Sequence, residues 1–355
     1  MAPSLEPGLD RGLSLPDSRS VGIVAIGRNE GERLVACLRS LAGDEPSAMV
    51  YVDSGSTDGS MERARELGAD VVRLETDVPF TAARARNAGW RRLIEIDPTV
   101  RYVQFVDGDC EVADDWLDAA RRTLEGQPQV AVVCGRRREK HREASIYNRL
   151  CDMEWDTPVG EAAACGGDAM MRIDALQQVG GFDETIIAGE EPELCRRLRE
   201  AGWRVLRIDA EMTLHDADMH RFGQWRKRMQ RSGHAYAEAA ARSWGKPTRS
   251  GVRECLSIAW WAGVWPAAAI VLAWPTRGLS LPVGGIAYVA LMLKAARGRR
   301  GERPADRLLW GASCVVGKWP QWMGMIQYFT SRMLGRRPTI IEYKGAVKST
   351  TTDPA

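Results

Sequence analysis

Two pairs of acids in this 355-residue chain have the types and spacing to do chemistry. The first is Asp107-Gly108-Asp109, which ends the apolar run Tyr102-Val103-Gln104-Phe105-Val106. That run is rich in β-branched and aromatic residues, so it reads as a buried strand. In an open α/β sheet, ligands bind beyond the carboxyl ends of strands. Two carboxylates there can hold a hard divalent cation, and such a cation commonly bridges a diphosphate. Gly108 is expected to let the backbone bend so that both acids serve one site. An ordinary acidic turn has the same spacing. The second pair is Glu190-Glu191, set before Pro192, which favours the first turn of a helix. A carboxylate there can act as a general base, although the helix dipole also favours acids at that position.

The surrounding elements must bring the two pairs together. Val21 to Ile26, Met49 to Val52, Asp70 to Leu74, Tyr102 to Val106 and Val130 to Val133 read as strands. Between them, residues 32–41, 60–67, 82–96 and 114–124 have helical spacing. Alternation at this spacing predicts an α/β fold, a mostly parallel sheet covered by helices on both faces. No G-x-G-x-x-G follows the first strand and no Walker-type loop is present. The phosphates of a ligand are therefore expected to meet a metal and basic side chains. Asp53 ends the second strand, where its carboxylate could accept a ring N–H of uracil or guanine, or cap the next loop. Asp58 reads as a helix N-cap. Arg86 could reach a ribose or phosphate, or lie on a solvated helix face.

Six segments in order resemble the family 2 glycosyltransferases over residues 21–225. They are Arg28-Asn29-Glu30, the stretch Tyr51 to Ser60, Ala85-Arg86-Asn87-Ala88-Gly89, Asp107-Gly108-Asp109, Gly166-Gly167-Asp168 through Glu184, and Gly189 to Leu194. The resemblance implies a GT-A fold, with a nucleotide-sugar half over 21–110 and an acceptor half over 111–245. It implies an inverting, metal-dependent hexosyltransferase acting in polysaccharide or cell-envelope glycan synthesis. Arg28, Asn29, Glu30, Asp53, Arg86, Asp107 and Gly108 would face the nucleoside-diphosphate sugar. Asp109 would bind Mg²⁺ or Mn²⁺ directly, since the ligands are hard oxygens, and His215 lies where some relatives place a further metal ligand. A histidine after an apolar run can equally be structural. Glu191 stands at the aspartate of the family's usual E-D pair and would be the base, with Glu190 the alternate. Glutamate in place of aspartate is a departure from that pattern. The processive members' Q-x-x-R-W is absent at Gln224-Trp225-Arg226, so transfer of one sugar is expected. Arg226, Arg228 and Arg231 could clamp the diphosphate or form a solvated basic helix. The run Arg136-Arg137-Arg138, Lys140 and Arg142 could likewise meet phosphate or simply be solvated.

Net charge is +2, too balanced to argue for a nucleic-acid partner. The 8 cysteines form no C-x-x-C pair and suit reduced thiols. Residues 1–20 read as a flexible leader without the features of a signal peptide, and 345–355 as a tail. Residues 246–344 change in composition. Leu256 to Trp274 is nearly uncharged and about the ~20 residues a bilayer requires. Leu279 to Leu293 is a shorter apolar run, and the basic flanks of both predict a hairpin (256–293) with its ends in the cytosol. A soluble helical subdomain with the hairpin buried in protein has the same pattern. Residues 308–334 read as an interfacial amphipathic segment. The expectation is an enzyme at the inner (cytoplasmic) membrane, its catalytic domain in the cytoplasm and its acceptor lipid-linked or a glycan. The alternatives are a polyprenyl-phosphate glycosyltransferase and, from other classes, a sugar nucleotidyltransferase or a non-catalytic nucleotide-sugar-binding scaffold.

Overall fold

A computed structural model describes residues 20–43, 46–75, 77–78, 80–246 and 248–335. The leader, apart from Ser20, and the tail lie outside the described residues. The strands are β1 Val21–Gly27, β2 Met49–Asp53, β3 Asp70–Arg73, β4 Tyr102–Asp107, β5 Cys110–Val112, β6 Val130–Glu139, β7 Gly160–Glu161, β8 Ala169–Arg172 and β9 Arg204–His215. The helices of the first domain are α1 Glu32–Ala42, α2 Ser60–Glu66, α3 Ala82–Ile96, α4 Trp116–Gly126, α5 Ile146–Trp155, α6 Ile173–Gln178, α7 Glu190–Glu200 and α8 Phe222–Arg242. One sheet runs in the order β3-β2-β1-β4-β8-β6-β9-β5, with β7 paired to β9.

The ladders among β1, β2, β3 and β4 are all parallel. Beyond β4 the sheet is mixed: β8 runs antiparallel to both β4 and β6, whereas β6 and β9 are parallel. The mostly parallel sheet expected from the sequence therefore describes only the first half. The later strands escape the periodicity because they are short or interrupted. β5 has three residues, and β6 pairs with β9 through register shifts on either side of Arg136.

The core lies between the sheet and its helices, with Ile23, Val24, Tyr51, Val52, Phe105 and Leu93 all buried. Helix α3 approaches β1 closely because Gly89 faces Val24 and Val52, where a Cβ would collide with the Val24 side chain. Thr81 caps α3 by accepting the Arg84 N–H at 3.1 Å.

The C-terminal region contains α9 Val252–Ile258, α10 Trp265–Val271, α11 Ser280–Arg297, α12 Pro304–Val316 and α13 Lys318–Met333. A π-helical segment over Ala259–Val264 joins α9 to α10. Pro266 follows it, lacking an N–H and crowding the carbonyl four residues back, which favours such a widened turn. Val252–Val271 is the one helix among the described residues long and apolar enough to cross a membrane, and little of it is covered by the rest of the chain. The two arms 252–271 and α11 pack together, with Tyr288 donating to the Trp261 carbonyl at 2.6 Å and Ser280 to the Ala269 carbonyl at 2.6 Å. Their outer faces expose Leu256, Ile270, Val271, Val283 and Ile286, and the turn between them exposes Trp274.

Helix α13 lies along α8, so this region is docked on the first domain rather than tethered to it. The crossing uses glycine on both sides. A Cβ on Gly324 would strike the Gln230 carbonyl, and one on Gly233 the Gln321 carbonyl. His234 meets Tyr328 edge-on at 5.2 Å beside it. Because the obstructing atoms are backbone, Gly324→Leu should separate the two helices and cost about 3 kcal/mol or more. A thermal melt of the detergent-held variant checks this, and an unchanged melting temperature would show that the crossing is not tight.

Candidate active site

The carboxyl ends of β1, β2 and β4 form one edge, with Asp53 in register with Gly27 and Ile26 with Asp107. Gly108 follows, its N–H donating to the Ile26 carbonyl at 2.8 Å. Its φ is not in the left-handed region, which corrects the sequence-based reason for it. What the glycine supplies is room, since a Cβ would sit 3.2 Å from the Ile26 carbonyl oxygen and 3.3 Å from Glu30 Cγ.

Asp168 organises the site from below. It is fully buried, accepting the Asp107 N–H at 3.0 Å and the Thr213 hydroxyl at 2.8 Å. Arg137 contributes an ion pair to it at 2.8 Å and stands 3.9 Å from Asp107. Arg86 is buried and donates to Asp107 at 2.8 Å and to Glu190 at 2.7 Å. Desolvation opposes its charge, but Asp107 and Glu190 more than offset this and hold the guanidinium firmly protonated. Arg86 is therefore not on a solvated helix face; it ties Asp107 at the end of β4 to Glu190 of α7. The next residue, Asn87, accepts the Phe182 N–H at 2.9 Å and donates to the Phe182 carbonyl and to Glu184, each at 2.8 Å. It pins the loop leading to α7.

On the other side of Asp107, the β5–β9 ladder sets His215 opposite Cys110. His215 Nε2 lies 3.5 Å from Asp109 Oδ2, longer than an ordinary hydrogen bond. Burial, aided by the positive charge of Arg137, pushes the imidazole down to about 3, so it is neutral at physiological pH. Its Nδ1 is buried with no hydrogen-bond partner among the described residues, and Trp155 packs on the ring at 4.7 Å between centroids. A neutral imidazole beside a carboxylate fits a divalent cation. Cys110 Sγ lies within the same cluster, but a hard cation prefers oxygen and nitrogen to sulfur, which favours Asp109 and His215 as the donors.

The remaining expected residues sit around this centre. Glu190 and Glu191 open α7 after Gly189, whose φ of 90° favours glycine. Glu190 faces Arg86. Glu191 turns the other way, is buried, and accepts the Cys165 N–H. Burial raises its carboxyl above the usual range. Asp53 is buried, its Oδ2 accepting the Gly55 and Ser56 N–H groups at 2.9 Å each and its Oδ1 the Tyr51 hydroxyl at 3.2 Å. It shapes its own loop. Asn29 binds that loop to β1 by accepting the Thr57 N–H at 2.8 Å, while its own N–H donates to Ser56 Oγ at 2.9 Å. Glu30 pairs with Arg33 at 2.8 Å, and Arg28 lies over the Phe80 ring at 5.5 Å. Asp58 accepts the Ser60 N–H at 3.1 Å from just outside α2, whose N-cap is Gly59.

The residues of the basic run are paired with acids, although Arg138 and Lys140 remain exposed. Arg136 pairs with Asp152 at 3.3 Å, Arg138 with Glu211 at 2.7 Å, Arg142 with Glu302 at 2.6 Å, and Lys140 with Glu111. Arg226 is exposed on α8, Arg228 pairs with Glu154 at 3.1 Å, and Arg231 donates to the Ile187 carbonyl. Sequence reasoning did not single out Thr213 or Trp155, and it placed Arg137 only within the basic run. The bulges around Arg136 break the alternation that would have marked Arg137 as inward. Asp168 was visible only as the acid of Gly166-Gly167-Asp168.

Near this centre, Glu139 is a buried acid whose carboxylate accepts the His141 and Ala217 N–H groups at 3.0 Å each. Burial raises its carboxyl to about 7 all the same. The folded state thus holds this proton more tightly than the unfolded chain. The associated stability is complete below the unfolded value of 4.5 and is lost as pH climbs toward 7. Between pH 5 and 8 the stability of Glu139→Gln should gain on the parent by on the order of 2 kcal/mol. Parallel melts across that range test it; a constant gap would mean that Glu139 is ionised throughout.

The profile of glycosyl transferase family 2 matches residues 20–179. The chain is 29% identical over 189 residues to the succinoglycan biosynthesis protein ExoA of Rhizobium meliloti, covering 50% of this chain and 56% of that protein. It is 29% identical over 217 residues to a pre-mycofactocin glycosyltransferase of Mycobacterium tuberculosis, covering 57% of this chain and 43% of that one. The chain thus spans about half the length of these relatives. Among solved structures, a mannosyltransferase of Pyrobaculum calidifontis, PcManGT, superposes with a TM-score of 0.51 at 20% identity, over 89% of this chain and 86% of that one. Residues 20–179 thus match glycosyl transferase family 2, and the chain is built on a GT-A fold.

Proposed function

We propose that the chain is an inverting, metal-dependent glycosyltransferase. It moves one sugar from a nucleoside-diphosphate sugar to a lipid-linked or glycan acceptor at the cytoplasmic face of the inner membrane. The product would enter polysaccharide or cell-envelope glycan synthesis. The observation that carries this reading is the single buried network joining Asp107 to Arg86, Glu190, Asp168 and Arg137, with Asp109 and His215 at its edge. The names of the relatives support it: one is a succinoglycan biosynthesis protein, and the solved mannosyltransferase is a complex with GDP-Man and Mn²⁺.

In this reading Asp109 and His215 hold Mg²⁺ or Mn²⁺, which when bound offsets the charge developing on the departing diphosphate. The loop shaped by Asp53 and Asn29 receives the base. Arg86 and Arg137 flank Asp107 and orient it toward the donor. Glu191 takes the proton of the acceptor hydroxyl as that oxygen attacks the anomeric carbon from the face opposite the leaving group. Burial raises its affinity for the proton it would take up. Glu190 is committed to Arg86 and is a positioning residue. The exposed apolar faces of 252–271 and α11 insert into the bilayer, and the docked α12 and α13 hold the site at its surface.

Titration calorimetry of the detergent-held protein with UDP, GDP and dTDP tests the donor site. One nucleotide should bind, more tightly with Mn²⁺ than with EDTA. Equal affinity in both would remove the metal from the account, and binding of none would remove the donor. The membrane arm is tested separately by carbonate washing of native membranes. The protein should stay in the pellet, and full release would exclude an inserted hairpin. Pyrophosphate rather than nucleoside diphosphate as product would point to a nucleotidyltransferase, and tight binding without turnover to a scaffold.

A further inference from the structure

Helix α7 carries a second cluster of donor atoms, on the side of the helix that bears Glu191. Glu191 and Cys195 are four residues apart and so share one side of the helix. Cys165, on the segment before β8, completes a triangle with them. Cys195 Sγ lies 3.6 Å from Cys165 Sγ and 3.5 Å from Glu191 Oε1, and all three donor atoms fall within 4.8 Å of one another. Around one tetrahedral Zn²⁺, two thiolates stand about 3.8 Å apart, and a thiolate and a carboxylate oxygen about 3.5 Å. The observed edges match both values without movement of the backbone.

We infer that Cys165, Cys195 and Glu191 form a site for a thiophilic divalent cation such as Zn²⁺, separate from the Asp109–His215 site. The donor set differs in kind. Two sulfurs select against Mg²⁺ and Mn²⁺, which prefer oxygen. All three residues are buried, and the neighbouring Ala163, Ala164 and Gly166 are exposed, which gives the ion a short path in. Binding releases the thiol protons, so metal affinity rises with pH. A consequence rests on the reading of Glu191 as base: Zn²⁺ takes up the carboxylate that would accept the acceptor's proton, and turnover stops while donor binding persists.

The test uses the full chain in detergent, reduced, stripped with chelator and kept in excess Mg²⁺. A Cys110→Ala background removes the thiol beside Asp109. Titration with Co²⁺ should give a thiolate-to-metal charge-transfer band that saturates at one equivalent, is displaced by Zn²⁺, and is lost in Cys165→Ser and weakened at least twofold in Cys195→Ser. Absence of the band at saturating Co²⁺ overturns the site without recourse to any variant. A band that survives both substitutions also overturns it, placing the metal on Cys134 or elsewhere. In turnover assays one equivalent of Zn²⁺ should lower the rate at least tenfold, with recovery on adding chelator and no such sensitivity in Cys195→Ser. A band with unchanged turnover keeps the metal site and removes Glu191 as base. A band in a protein that transfers no sugar keeps the site and removes the proposed function.

Discussion

Asp109→Ala should lower sugar transfer about a thousandfold, the equivalent of several kcal/mol of barrier. The loss follows from the position of this carboxylate beside the neutral imidazole of His215. Without it the cation loses its anionic ligand, and the departing diphosphate loses the charge that offsets its own. The fold should survive, because β5 is held by its backbone, with the Asp216 N–H donating to the Asp109 carbonyl at 3.2 Å. Metal-free nucleotide affinity should therefore be unchanged and the gain from Mn²⁺ abolished. His215→Ala should show a smaller loss in the same direction, since it removes a neutral donor. Calorimetry with and without Mn²⁺, run beside steady-state rates, separates these effects. A variant that keeps its metal response would move the cation to other ligands.

The second large effect belongs to α7. Glu191→Gln should reduce kcat by about 10²- to 10⁴-fold, the range for loss of a general base, with the donor KM nearly constant. The amide keeps the shape and can still accept the Cys165 N–H, so stability should change little. Glu190→Gln should behave differently. It removes one of the two carboxylates that hold buried Arg86. The remaining charge is then undercompensated, which is costly in the interior. Donor affinity and melting temperature should both fall, and kcat less than in Glu191→Gln. The reverse pattern, with kcat lost in Glu190→Gln and retained in Glu191→Gln, would exchange the two roles.

Much of this site could be read from the chain because its motif residues each have a physical reason to be where they are. Asp53 and Asp107 end buried apolar runs, so their place at the sheet edge follows from the strands before them. In Ala85-Arg86-Asn87-Ala88-Gly89, Arg86 joins two acid pairs, Asn87 pins the loop to α7, and Gly89 lets the helix close on β1. Helix α3 was legible to the residue, because its cap and its apolar face agree. The partners of these motif residues were not legible. Asp168 immediately precedes the short β8, Thr213 and Arg137 lie on β9 and β6 with their register shifts, and their approach to Asp107 is a property of the mixed half of the sheet. The docking of α13 on α8 was hidden for a related reason. Gly233 and Gly324 reveal nothing alone, and only the crossing gives them meaning.

The most direct test of the account is a panel of UDP-, GDP- and dTDP-sugars offered to the detergent-held protein with membrane lipid extract. Release of nucleoside diphosphate and labelled sugar in product would be followed together, in Mn²⁺ and in EDTA. The account predicts that one donor class yields the two products in equal amounts, that EDTA stops the reaction, and that Asp109→Ala does not support it. Equal turnover in EDTA, or sugar transfer undiminished in Asp109→Ala, would contradict it.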